Sequence, residues 1–162
     1  MRIAIVYTTK HGAVLKVAEY LKERINSDNI CLFNAKDNST IDCSSFDVII
    51  LGGSVYAGSV QKQLTSFINQ NMDVLQDKHI GLFVSCMSQN QAQQVFDNTY
   101  PESLRSKSLC NALVGGELIM EKLNWFEKAL TRVIGGQKES QSMLRYNEID
   151  KIVEAINSIL IC

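Results

Sequence analysis

The sequence is short of the features that mark several large classes of protein. It has one proline and two histidines in 162 residues, and 16 Lys and Arg residues nearly balance 17 Asp and Glu residues, for a formal net charge of −1. Because neither sign of charge dominates, nothing favours non-specific binding to nucleic acid or a strongly acidic docking surface. No apolar run approaches the roughly 18 residues that a membrane span needs. We therefore expect neither a nucleic-acid partner nor a membrane span.

The cysteines form no recognisable pattern. Their number is odd, and no two have the C-x-x-C spacing of a zinc or thioredoxin-like site. They are Cys31, Cys43, Cys86, Cys110 and Cys162. A disulfide framework and a metal site are therefore not expected, and reduced thiols are typical of a cytoplasmic protein. The apolar run at the start is too short for a signal peptide and has no cleavage site, which also favours the cytoplasm.

What the sequence does contain is an alternation of short apolar runs and helical patterns. The apolar runs predict buried strands over residues 2–7, 29–34, 46–52, 79–86 and 111–115. Apolar residues at helical spacing predict helices over residues 14–25, 60–75, 91–97 and 149–160. Such an alternation implies a parallel sheet with helices on both faces. We therefore predict an α/β three-layer sandwich, one domain over residues 1–162, with five parallel strands in the order 2-1-3-4-5.

One segment is longer than this architecture needs. Between the fifth strand and the last helix, residues 119–146 include a helical stripe of apolar side chains: Ile119, Leu123, Phe126, Leu130 and Val133. A glycine pair at residues 135–136 would end this helix. We predict a helical insertion packed on the domain. One alternative is that Trp125 and Phe126 cap a hydrophobic substrate. Another is a peripheral contact of residues 119–135 with a membrane surface through the same two residues, which the interleaved lysines and glutamates weaken.

A binding site in such a sheet is expected where the strand order reverses, beyond the carboxyl ends of strands one and three. Three segments reach that point: residues 8–14, 53–58 and 85–88. The candidate binding residues in them are Thr8, Thr9, Lys10, His11, Gly12, Ala13, Val14, Ser54, Val55, Tyr56, Ala57, Gly58, Ser85, Cys86, Met87 and Ser88. No catalytic residue and no metal ligand is predicted.

The first of these segments suits an anion. It leads into a helix whose first N–H groups are unpaired and carry partial positive charge. The side chains of residues 8–11 add two hydroxyls and two groups that can carry positive charge, and Gly12 permits close approach or a positive φ. An alternative is a plain turn in which Thr9 caps the helix. Val14 falls on the apolar stripe of the helix, so its side chain is expected to serve the core.

The second and third segments suit a planar group. Tyr56 stands among Gly52, Gly53 and Gly58 at a strand end, where an aromatic side chain can stack on a flat ring. Cys86 would lie nearby, where an inert small residue is favoured over a redox role. A phosphate, a polar stem and a planar ring together describe flavin mononucleotide (FMN) better than a dinucleotide. No G-x-G-x-x-G follows the first strand and no G-x-x-x-x-G-K-[ST] occurs, so neither an NAD fingerprint nor a P-loop is present.

These segments resemble those of the flavodoxin family, and the resemblance extends over nearly the whole chain. The flavodoxin phosphate loop has the form T/S-x-T-G-x-T, and its four specified positions fall on Thr9, His11, Gly12 and Val14. Thr9 and Gly12 match this form, whereas the other two replace hydroxyl residues. The resemblance implies a flavodoxin-like fold and FMN as the cofactor, with backbone N–H groups binding much of the phosphate.

The chain is most similar to the branch of that family that contains the menaquinone-dependent protoporphyrinogen IX dehydrogenases. The shared features are a start like IVYTTKHG, a G-x-S-x-x-x-G loop after strand three, and a W-[FY]-[DE]-[KR] element followed by a glycine pair. In this sequence the last two are residues 52–58, residues 125–128 and residues 135–136. The resemblance implies an FMN enzyme that transfers reducing equivalents to a quinone, with a porphyrinogen as a candidate small-molecule substrate.

Two other functions fit the same pattern. A flavodoxin-type electron carrier would exchange electrons with a redox partner protein and have no substrate of its own, but such carriers are usually very acidic. A flavin-free sheet that serves as a binding module is the other alternative, because the phosphate loop departs from the family form at Val14. In a flavin protein the cofactor supplies the chemistry, and the polypeptide supplies position and electrostatics.

Overall fold

The computed structural model of the chain describes residues 1–37, 41–125, 127–129 and 140–161. The strands of its main sheet are β1 (Ile3–Thr8), β2 (Ile30–Asn34), β3 (Val48–Tyr56), β4 (Ser59–Val60), β5 (His79–Ser85) and β6 (Cys110–Leu113). Its helices are α1 (Ala13–Arg24), α2 (Lys62–Gln70), α3 (Met72–Gln76), α4 (Gln89–Thr99), α5 (Glu102–Arg105) and α6 (Tyr146–Leu160). The order β2-β1-β3-β5-β6, with parallel pairing throughout, confirms the predicted five-stranded arrangement.

Strand β1 shows why the sheet is covered on both faces. All six of its residues are buried, and successive side chains of a strand point to opposite faces. Ile3 and Ile5 belong to the apolar cluster that includes residues of α1 and α6, whereas Ala4 and Val6 belong to the cluster that includes residues of α2 and α4. The near-continuous apolar run of β1 therefore serves two cores at once.

Close packing between β3 and β5 depends on one glycine. Gly52 is the register partner of Phe83, and both side-chain positions point to the same face of the sheet. A Cβ atom built on Gly52 would overlap the Phe83 ring, which is fully buried. Phe83 thus occupies the space that a side chain at residue 52 would need.

The segment predicted as one helix over residues 60–75 is in fact three elements. It begins with the short strand β4, which pairs antiparallel with β3, and continues as two helices, α2 and α3. Asn71 separates the helices, because its side-chain Nδ2 donates a hydrogen bond to the Phe67 carbonyl at 2.8 Å and so satisfies an acceptor at the end of α2. The apolar spacing continues across this break, which is why periodicity alone did not detect it.

The insertion after β6 also differs from its prediction. Instead of a helix from residue 119, β7 (Glu117–Leu118) pairs antiparallel with β8 (Gln141–Ser142), and a 3₁₀ turn covers Met120–Lys122. Helical backbone starts only at Trp125. The predicted stripe residues Phe126, Leu130 and Val133, and the glycine pair at 135–136, lie outside the described residues.

A capping box sets the start of this helical segment. The Asn124 Oδ1 atom accepts a hydrogen bond from the Glu127 N–H at 2.8 Å, and Glu127 Oε2 accepts one from the Asn124 N–H at 3.0 Å. This reciprocal pairing satisfies two backbone donors at a helix N-terminus. None of the helices in the described parts of the chain has the length and apolar character that crossing a bilayer requires.

Candidate functional site

The three predicted segments lie side by side at one edge of the sheet. Thr8 at the end of β1 pairs with Gly53 in β3, and Ser54 pairs with Ser85 at the end of β5. A cavity opens to solvent beside them. It is lined by Thr9, Lys10, His11, Ala13, Ser54, Val55, Tyr56, Ser85, Met87, Gly116 and Glu117. Nine of the eleven lining residues are among the candidates predicted from the sequence.

The first loop ends in a left-handed residue at the start of α1. Gly12 precedes the helix with a φ of +95°, a conformation that favours glycine. The Thr9 Oγ1 atom accepts a hydrogen bond from the Gly12 N–H at 3.0 Å. In the described chain, α1 has neither a side-chain cap nor an acidic residue in its first turn, and its first backbone bond runs from the Lys16 N–H to the Gly12 carbonyl. The N–H groups of residues 13–15 are therefore available to an anion.

Two residues of this loop that were predicted to bind the ligand have side chains that point into the protein and not into the cavity. Val14 is fully buried among Val17, Ala18 and Leu21, as its place on the apolar stripe predicts. Thr8 is also fully buried, and its hydroxyl has no hydrogen-bond partner among the described residues. Neither side chain lines the cavity, so a contribution from Val14 would come from its backbone.

The second segment is a tight hairpin, whereas the sequence predicted that the third strand ends at residue 52 and a loop follows. β3 continues to Tyr56, and Ala57 and Gly58 then turn the chain into β4 with φ values of 49° and 80°. Positive φ at both central residues is the geometry of a two-residue hairpin turn. These two residues set the direction of the turn and do not line the cavity, whereas Ser54, Val55 and Tyr56 do.

The third segment contacts the chain that follows β6. The Cys86 N–H donates to the Gly115 carbonyl at 2.7 Å, and a Cβ atom built on Gly116 would be only 2.8 Å from the Met87 nitrogen. The Cys86 thiol is buried, donates to the Ser88 carbonyl at 3.3 Å and does not line the cavity. Burial raises the pKa of Cys86, which keeps the thiol protonated and supports the prediction of an inert residue.

A buried carboxylate from the insertion joins the first two segments. Glu127 is only 5% exposed, and its Oε1 atom accepts a hydrogen bond from the Tyr56 hydroxyl at 3.0 Å. The same oxygen forms an ion pair with the Lys10 ammonium and lies 3.7 Å from His11 Nε2. Lys10 Nζ also lies 3.3 Å from the centroid of the Tyr56 ring, a cation–π contact. We call Lys10, His11, Tyr56 and Glu127 the Glu127 cluster.

The cluster fixes the charge of Glu127 and the setting of Tyr56. The hydrogen bond from Lys10 lowers the pKa of Glu127 to about 2, with further lowering by the Asn124 N–H and the Tyr56 hydroxyl and an opposing contribution from burial. Glu127 is therefore ionised at neutral pH. One face of the Tyr56 ring is covered by the Lys10 ammonium, so a planar ligand cannot stack on that face in this arrangement.

A lysine of the insertion lies over the first loop. A Cβ atom built on Gly12 would be 2.8 Å from Lys122 Nζ, so this ammonium lies beside the start of α1. Neither Lys122 nor Glu127, Gly116 or Glu117 was predicted as a site residue. One signal was present in the sequence, because the N-x-x-E spacing of residues 124–127 is that of a capping box. Nothing in the local pattern indicated that this helix start would lie against the first loop.

Replacing Glu127 with glutamine is expected to destabilise the protein by about 1 kcal/mol at neutral pH, because charge-assisted hydrogen bonds become neutral ones. The pKa of Glu127 is about 2 in the folded protein against an ordinary 4.5, so the stabilisation is complete above pH 4.5 and is lost as the pH falls towards 2. Glutamine can still serve in the capping box. Urea unfolding of both proteins between pH 7 and pH 2.5 tests this, and a difference that stays constant over that range would contradict it.

The family profile described as a flavodoxin domain matches residues 4–144. No curated protein sequence matches the chain at a significant level.

Solved structures show a similar fold. Oxidised flavodoxin 1 from Bacillus cereus is 14% identical with a TM-score of 0.55, covering 99% of this chain and 98% of its own. A Fusobacterium nucleatum flavodoxin bound to flavin mononucleotide is 14% identical with a TM-score of 0.52, covering 98% of this chain and 96% of its own. Rubredoxin oxygen:oxidoreductase from Desulfovibrio gigas is 13% identical with a TM-score of 0.59, and 99% of this chain matches 37% of that longer one. These structures confirm the predicted flavodoxin-like fold.

Proposed function

The chain belongs to the flavodoxin-domain family, and on that premise we propose that it is an FMN-dependent oxidoreductase that transfers reducing equivalents to a quinone. Family membership, together with a fold neighbour that has flavin mononucleotide bound, supports FMN as the cofactor. The observation that carries the proposal is a cavity at which the ends of β1, β3 and β5 meet beside the N-terminus of α1.

The residues around the cavity fit the parts of FMN. The unpaired N–H groups at the start of α1 and the left-handed Gly12 suit a phosphate. His11 Nε2 is buried with no hydrogen-bond partner among the described residues, which leaves a polar atom to be satisfied. Ser54, Val55 and Met87 would line the ring system. FMN would supply hydride or electron transfer, while these residues bind it, orient it and limit access of water.

The choice between an enzyme and an electron carrier depends on charge. A net charge of −1 gives little electrostatic guidance towards a basic redox partner protein, which counts against a carrier. We therefore place the quinone-linked enzyme first and the FMN electron carrier second. The resemblance to the menaquinone-dependent protoporphyrinogen IX dehydrogenases makes protoporphyrinogen IX the first substrate to test. The free thiols of Cys31, Cys43, Cys86 and Cys110 fit our proposal of a cytoplasmic protein.

Binding of FMN is tested by titrating the flavin-free protein with FMN and following flavin fluorescence and heat. We expect a stoichiometry of one and a dissociation constant of micromolar or tighter, because the cavity offers both an anion site and a site for the ring. Adenosine monophosphate is the control, since it presents a phosphate with a different ring system. A protein that ignores FMN, or that binds both nucleotides equally, would overturn the proposal.

Enzyme and carrier are separated by anaerobic kinetics. The FMN-loaded protein is mixed with an excess of protoporphyrinogen as the electron donor and an excess of a soluble menaquinone analogue as the acceptor. In a second experiment it is reduced chemically and mixed with the quinone analogue alone. Multiple turnovers with the quinone support the enzyme. A single stoichiometric oxidation, combined with fast exchange with a flavodoxin reductase, supports the carrier.

A further inference from the structure

The positive charge of the first loop is held by a carboxylate that comes from another part of the chain. Lys10 is ion-paired with Glu127 Oε1, and His11 Nε2 lies 3.7 Å from the same oxygen. The loop that suits an anion therefore already has one beside it. This anion belongs to the insertion, so the insertion and a bound phosphate act on the same lysine.

The Glu127 side chain is held in place by contacts from several parts of the chain. The side chain is nearly fully buried, and its second oxygen is held by the Asn124 N–H in the capping box. Its first oxygen accepts a hydrogen bond from the Tyr56 hydroxyl, whose ring also contacts the Lys10 ammonium. These contacts on both oxygens leave this carboxylate little freedom to turn away when another anion binds.

A phosphate on this loop would meet charges of both signs. Lys122 lies beside Gly12 and would attract it, as would Lys10 if that ammonium were not paired. Glu127 would repel it, because its Oε1 atom lies only 3.7 Å from His11 Nε2 in this loop. Repulsion between two negative charges is strong at such short range in partly buried surroundings. Riboflavin carries the same ring system without the phosphate and would escape this repulsion.

Resting on the proposed flavin function, we propose that Glu127 determines specificity: it competes with the flavin phosphate for Lys10 and so limits the preference of the site for FMN over riboflavin. Binding of the phosphate then weakens the ion pair between Lys10 and Glu127, and that ion pair weakens phosphate binding by the same factor.

The experiment compares the parent protein with Glu127→Gln and with Glu121→Gln, each titrated with FMN, riboflavin and inorganic phosphate. Glu121 is the matched control, because it is in the same segment, loses the same charge and is bonded to Ser140 at the surface. For Glu127→Gln we expect the dissociation constants of FMN and phosphate to fall on the order of tenfold, with riboflavin unchanged within about twofold. This gain should shrink in 1 M salt. Glu121→Gln should leave all three constants unchanged.

A second variant assigns the gain to Lys10. In the Glu127→Gln background, Lys10→Met should remove most of the improvement in FMN and phosphate binding while leaving riboflavin binding in place. Circular dichroism and the unfolding midpoint of each variant verify that the protein compared is folded. A gain that persists without Lys10 would overturn the competition for that lysine.

The outcomes separate this inference from the proposed function. Equal changes in FMN and riboflavin binding, or none in either, would mean that Glu127 only supports the fold, and the inference would fail while flavin binding still supports the proposed function. If no flavin binds to any of the proteins, the proposed function fails. In that case phosphate binding alone decides the inference. Tighter phosphate binding by Glu127→Gln but not by Glu121→Gln would support it, and no such difference would overturn it.

Discussion

Replacing Gly12 with valine is expected to weaken FMN binding roughly 100-fold, whereas replacing Thr9 with alanine weakens it about fivefold. Gly12 has a φ of +95°, and a β-branched residue adopts that conformation only at a cost of about 2 kcal/mol. A side chain there would also be forced against the Lys122 ammonium. The loop would then leave the conformation in which its N–H groups converge on an anion.

Thr9→Ala removes less. It deletes one hydrogen bond, the one that the Thr9 hydroxyl oxygen accepts from the Gly12 N–H, worth about 1 kcal/mol. FMN titrations of both variants and the parent decide the matter, with the unfolding midpoint of each measured without FMN. Similar affinities for Gly12→Val and the parent would show that the left-handed conformation of this residue is not needed for binding.

Replacing Gly52 with alanine is expected to destabilise the protein by about 3 kcal/mol, although only one methyl group is added. The new Cβ atom would overlap the Phe83 ring, which is buried between the sheet and the helices and cannot move aside without disturbing its neighbours. Because Gly52 precedes the cavity residues of β3, a shift of this strand would also disturb Ser54 and Tyr56, and FMN binding should weaken with stability.

Gly81→Ala in the adjacent strand is the matched control. A Cβ atom at Gly81 would meet Ile50 and Ile152 at 3.5 to 3.7 Å, which is ordinary contact distance. We expect this variant to be neutral or about 0.5 kcal/mol more stable, because alanine restricts the unfolded chain more than glycine does. Chemical denaturation of the two variants tests the contrast. Equal effects of the two substitutions would mean that the Phe83 ring adapts easily.

The sheet was predictable because its residues follow rules that act locally. Parallel strands that are buried on both faces appear in a sequence as continuous apolar runs. The run from Ile3 to Val6 predicted such a strand, and its side chains do pack into two cores. The break at Asn71 was not predictable in the same way. The apolar spacing continues across it, and a single side-chain amide bonded to a carbonyl ends the helix.

The candidate site was predictable as far as its parts lie at the ends of strands. Once the strand order is known, residues 8–14, 53–58 and 85–88 must share one edge of the sheet. Glu127 and Lys122 could not be placed that way, because they are distant in sequence from these segments and reach them through the path of the insertion. Spacing within a segment predicts how it folds, but it does not indicate which loop the segment will contact.

The exposed position of Trp125 has a practical consequence. It is the one tryptophan of the chain and is 81% exposed, two residues before the buried Glu127 on the same helical turn. With excitation at a wavelength that tyrosine does not absorb, the emission of the protein therefore comes from the segment that contains Glu127. Quenching of that emission by iodide gives a label-free record of the segment's accessibility, in the parent protein and in every variant described above.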